Sequence, residues 1–89
     1  MTTYIVSWKF APASFKAIVA RFLETGGAVP EGVTLLGRWH GMNGQGIEIV
    51  KAEDPKAIFR LQAEWMDLME MSVTPCMTDE EAGPILATL

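Results

Sequence analysis

One cysteine and one histidine in 89 residues leave the chain almost no soft-metal chemistry. A structural zinc site takes four Cys or His ligands at set spacings, so neither a metal nor a cofactor is expected. A lone Cys76 also excludes an internal disulfide and fits a reducing compartment, which points to the cytoplasm. Basic residues are scarce: seven Lys and Arg stand against eleven Asp and Glu, for a net charge of −4 and a pI near 4.8. They are spread from Lys9 to Arg60 with no two adjacent. No patch can neutralise a run of phosphates, and nucleic acid is excluded as a partner. No apolar run approaches the ~18 residues that suggest a membrane span, and the opening "MTTYIVSWKF" lacks the charged-then-apolar pattern of a secretory leader. There is no P-loop, nucleophile elbow or dinucleotide fingerprint. The glycines of "GMNGQG" come in the wrong order and lead into a strand instead of a helix.

What the chain does have is apolar surface. Residues of hydrophobic type make up 49% of it, and its mean hydropathy is +0.20. A single domain over 1–89 buries only about 60% of the surface its unfolded chain exposes. The surplus must be covered by something, and a second copy of the same chain is the economical cover. A homodimer is the expectation.

"TYIVSWKF" (3–10) alternates Tyr4, Val6, Trp8 and Phe10 against Ile5, Ser7 and Lys9, a strand with one strongly apolar face. In "PASFKAIVARFLETGG" the residues Phe15, Ile18, Val19, Phe22 and Leu23 form a helical stripe. Ser14 suits its N-cap, and Gly26 or Gly27 its left-handed end. "VTLLGRWHG" (33–41) and "QGIEIVKAE" (45–53) flank Met42-Asn43-Gly44, a hairpin signal. "DPKAIFRLQAEWMDL" (54–68) is a second helix capped by Asp54, with Pro55 at its first position and Ile58, Leu61, Trp65 and Leu68 inward. "MEMSVTPCM" (69–77) is a strand that Pro75 confines to a sheet edge. "TDEEAGPILATL" opens on the capping box Thr78–Glu81 and gives a short terminal helix interrupted at Gly83-Pro84. The class is α+β, a ferredoxin-like β-α-β-β-α-β antiparallel sheet with a short C-terminal helix.

The chemistry collects in the hairpin. A type I′ turn at Asn43-Gly44, within a four-residue loop Met42–Gln45, sets His40 opposite Ile47, Arg38 opposite Ile49 and Trp39 opposite Glu48, whereas a three- or five-residue loop would reverse this pairing. Arg38 and His40 then share a side with the two isoleucines. A guanidinium and an imidazole in an apolar setting can receive a carboxylate, a phenolate or a carbonyl oxygen. Gly37, Gly41 and Gly46 leave room for a ligand or a close backbone approach, and equally suit a bulge. The opposing reading is structural: His40 as a satisfied interface residue, and Arg38 paired with Glu48 or with an acid of a partner chain. The tryptophans Trp8, Trp39 and Trp65 serve either as pocket walls or as core and dimer surface. The six methionines suit an adaptable contact surface.

The stretches "YIVSWKF", "ARFLETGG", "PEGVTLLGRWH" and "AEWMDLMEMSVTPCMTDEEAG" resemble a family of small, mostly bacterial proteins known only as a domain of unknown function, with "GRWH" the most specific part. Its members are similar to the dimeric α/β-barrel superfamily, whose ferredoxin-like subunits pair through their sheets. That superfamily includes cofactor-independent monooxygenases, haem-degrading enzymes, chlorite dismutase-like proteins, muconolactone isomerases and small stress-responsive proteins. The resemblance implies a dimer with a ligand cavity between sheet and helices. It carries over no catalytic residue: the haem-degrading type keeps its histidine on a helix, and His40 lies on an expected strand. Two functions follow. One is a homodimer binding a small apolar or aromatic molecule beside Trp8, Arg38, Trp39, His40 and Trp65, with His40 as the proton-transfer group if the cavity hosts an oxygenase- or isomerase-like reaction. The other is a structural or interaction protein with no ligand site.

Overall fold

A computed structural model describes residues 1–89. Its elements run β1 (Thr2–Lys9), α1 (Phe15–Thr25), β2 (Val33–His40), β3 (Gln45–Ala52), α2 (Pro55–Ala63), β4 (Glu70–Cys76) and α3 (Asp79–Leu86). All four strands pair antiparallel in one sheet of order β2-β3-β1-β4. This is the α+β, ferredoxin-like arrangement with a C-terminal helix added. Pro75 sits on β4, which is an edge strand.

Alternation along β1 turns Tyr4, Val6 and Trp8 toward the helices. There Val6 meets Val50 and Ala52 of β3 and Ile58 and Leu61 of α2, and these five residues are the buried core. Asp54 caps α2 by accepting from the Lys56 amide at 2.9 Å, and Pro55 follows at the first helical position. Thr78 and Glu81 close the expected capping box on α3.

Three local expectations are corrected. Ser14 is already helical and its side chain caps nothing, because a 3-10 turn over Pro12–Ser14 starts the coil one turn early. The second helix stops at Ala63, so Trp65 and Leu68 ride on the turns that follow it. α3 runs through Pro84, at the cost of the one hydrogen bond a proline cannot donate.

The hairpin register differs by one residue. Gly41 donates to the Gln45 carbonyl at 2.7 Å, so the loop is Met42–Gly44, three residues long. Only Gly44 has positive φ, at 79°, and Asn43 does not, which rules out a type I′ turn. Arg38 therefore faces Glu48, Trp39 faces Ile47 and His40 faces Gly46. Because strand side chains alternate, one step moves every expected partner to the other face. Arg38, His40 and Glu48 lie on the helix side, while Trp39, Ile47 and Ile49 lie on the outer side. A bulge at Leu36 shifts the ladder again farther from the turn.

The outer face of the sheet has no helix over it. It carries Ile5, Ile47, Ile49 and Trp39, the last 59% exposed. The molecule measures 48 × 28 × 17 Å with a radius of gyration of 14.6 Å. A compact chain of this length has about 12 Å.

Candidate functional site

Between the sheet and the helices lies a cavity of about 220 Å³. α2 buries Ile58 and Leu61 against the sheet, whereas α1 buries no residue fully, and the cavity lies along its sheet-facing side. Aromatic side chains line it. Phe10 stacks on Phe15 with ring centroids 6.0 Å apart, and Phe22 of α1 meets His40 edge-on at 5.6 Å. Trp8 also meets His40, with ring centroids 6.1 Å apart. His40 thus contacts two aromatic rings yet keeps an exposed side, and it lines the cavity with Gln45 and Gly41.

Trp8 reaches this position by lying across Gly46, its neighbour on β3, where its indole takes the space a Cβ would fill. Gly37 is covered in the same way by Trp39 on the outer face. The room these glycines leave is occupied by the chain's own indoles.

At the inner end the Arg38 guanidinium donates from Nε to Glu48 at 2.8 Å and from Nη2 to the Gly27 carbonyl at 2.8 Å. It also lies 5.4 Å from the Phe22 ring. Glu48 is only 3% exposed, and Arg38 is its partner. Gly27 takes φ 68°, and Arg38 and Phe22 crowd the place where its side chain would be, so a glycine is required there. Of the structural alternatives for Arg38, pairing with Glu48 is the one realised.

The far wall is Trp65, with Leu61, Met69 and Met71. Arg21 of α1 pins Trp65 from outside. Its guanidinium sits 5.6 Å over the indole, donates to Asp67 at 2.7 and 2.8 Å, and reaches the Glu64 carbonyl at 2.8 Å. The hydrogen bonds from Arg21 hold the Asp67 carboxyl below its ordinary value. With a folded pKa below the unfolded one, the clamp contributes fully above the ordinary carboxylate value of about 3.9 and is lost as pH falls through the lowered one. Arg21→Ala is expected to lower Tm at neutral pH, and its gap to wild type is expected to close in acid. Thermal melts of both proteins across that range check this, and a gap independent of pH refutes it.

The cavity brings together Trp8, Arg38, His40 and Trp65. Trp39 is the exception: it points from the outer face and lines no part of the cavity. Sequence reasoning missed Glu48 as a cavity residue, although a lone acid in "GIEIV" already signals a buried charge in want of a cation. It also left Phe10, Phe15 and Phe22 as helix or strand stripe residues and placed Met69 and Met71 only in a contact surface. No group of three or more His, Cys, Asp or Glu side chains is placed to hold a metal, and no helix is long and apolar enough to cross a membrane.

Comparison with curated proteins and with solved structures finds no match. Residues 2–89 match DUF3303, a domain of unknown function, and the chain belongs to that family.

Proposed function

We propose that the protein is a homodimer of the dimeric α/β-barrel type that binds a small, largely apolar molecule in the cavity between sheet and helices. The observation that carries this is the cavity itself: aromatic walls from Trp8, Phe22 and Trp65, with two polar groups, Arg38 and His40, opening into it. Ligand sites are typically apolar hollows with a few placed polar groups. His40, within "GRWH", orients the ligand's polar end, while Arg38, held by Glu48 and the Gly27 carbonyl, fixes the inner end of the cavity. A neutral imidazole accepts a proton near neutral pH, so an isomerase-like or cofactor-independent oxygenase reaction would use His40.

Surface area supports the dimer. The chain exposes 6312 Å², against roughly 5,200 Å² for a compact protein of its mass. The excess is on the order of the ~800 Å² each partner buries in a standard interface. Trp39, Ile47 and Ile49 on the outer sheet face supply apolar anchors for it.

The test is a panel of small aromatic compounds followed by tryptophan fluorescence, with wild type beside His40→Ala. Saturable quenching that weakens about tenfold in the variant supports the site, one well-placed hydrogen bond being worth about 1 kcal/mol or more. No response from any compound removes it. Sedimentation of dilute protein tests the assembly, and a well-folded monomer at every concentration removes the dimer.

A further inference from the structure

We infer that the cavity selects uncharged ligands: a single aromatic ring with a short, neutral hydrogen-bonding substituent, to the exclusion of the matching acids and amines. This rests on the cavity being a ligand site and adds the class of molecule it takes.

Charge is the first argument. The only formally charged side chains lining the cavity are Arg38 and Glu48, and they are spent on each other at 2.8 Å. A second donor of Arg38 is taken by the Gly27 carbonyl, and the Phe22 ring lies near the guanidinium. A carboxylate entering the cavity finds a cation already matched, and brings an unmatched negative charge toward Glu48. An ammonium group meets the same difficulty at Arg38. Twelve of the eighteen lining residues are hydrophobic, so the walls offer neither charge a partner of its own. A neutral amide or hydroxyl avoids the cost and finds the imidazole of His40 and the amide of Gln45 at the mouth.

Size is the second argument. An apolar cavity of about 150 Å³ in another protein holds one benzene. At about 220 Å³ this one admits one ring and a short tail.

Three probes that share one ring separate the possibilities: phenylacetamide, phenylacetate and phenethylammonium. Each is titrated into the 89-residue chain in the same buffer at one fixed pH. The readout is the NMR signals of the tryptophan indole N–H groups and of the Arg38 Nε–H. Phenylacetamide is expected to bind roughly tenfold or more tightly than either charged probe, moving the Trp8 and Trp65 signals and leaving Trp39 in place. In Glu48→Gln, which frees the Arg38 charge, phenylacetate is expected to overtake the amide. If that variant fails to fold, the wild-type order alone decides. Equal or tighter binding of either charged probe by wild type overturns the charge selection while the cavity remains a ligand site. An unchanged order in folded Glu48→Gln overturns it too. If no probe moves Trp8 or Trp65, the ligand site and its selectivity fall together.

Discussion

Arg38→Ala is expected to cost about 3–5 kcal/mol, the penalty for stranding one partner of a buried ion pair. Glu48 sits on β3 opposite Val6, beside the core, and is 3% exposed. Its one cation is Arg38, whose removal also frees the Gly27 carbonyl. A domain this small has about 5–15 kcal/mol in total, so the variant loses a large share of it and its Tm falls by more than ~10 °C. The informative companion is the double variant Arg38→Met with Glu48→Leu. It removes both desolvated charges and fills the space with apolar volume, so it is expected to be more stable than either single truncation. Urea denaturation of wild type, both single variants and the double variant measures the coupling. A cost below about 1 kcal/mol for Arg38→Ala means water reaches the pair, and the charge argument for the cavity fails with it.

The elements were readable because each has one buried face and a chemical boundary. In β1 the residues Tyr4, Val6 and Trp8 oppose Ile5, Ser7 and Lys9; Val6 enters the core with Tyr4 packed against it, and Trp8 lines the cavity. Asp54-Pro55 and Thr78-x-x-Glu81 mark helix starts through hydrogen bonds that need nothing distant. Pro75 names an edge by what it cannot donate. Such signals are local, and they survive folding unchanged.

The hairpin shows where local signals stop. Asn43-Gly44 announces a turn without stating its length. The Asn43 side chain accepts from the Gln45 amide at 3.2 Å, only Gly44 enters the left-handed region, and the loop closes with three residues. That single step decides which face Arg38 and His40 occupy. A charge argument would have resolved it: Glu48, flanked by Ile47 and Ile49, needs a cation directly across the ladder, and Arg38 is the residue on β2 that provides one. The cavity was less accessible to sequence. It depends on how far α1 stands from the sheet, which is set by contacts among Trp8, His40 and Phe22 from three separate elements.

Gly46→Ala tests that dependence with one methyl group. In a strand, glycine to alanine ordinarily gains about 0.5–1 kcal/mol by restricting the unfolded chain. Here the methyl would enter the Trp8 indole, coming within 2.6 Å of Nε1 and nearer still to the ring carbons. An indole is rigid and cannot yield by bending a terminal atom, so it must rotate as a unit. His40 blocks one side of that rotation, leaving the cavity as the space that gives. Overpacking of this kind costs about 1–3 kcal/mol, more than the backbone gain, so the net effect is destabilising. Each kcal/mol corresponds to about 4–8 °C in Tm for a domain of this size. The indole moving into the cavity also shrinks it, so aromatic probes should lose affinity together with stability. Trp8→Leu in the same chain separates the two effects. With the indole gone the methyl has room, and Gly46→Ala in that background is expected to be neutral or stabilising, a coupling within the 0.5–3 kcal/mol seen for residues in contact. Additive effects in denaturation would mean that Trp8 does not lie over Gly46, and the wall built on that contact would have to be redrawn.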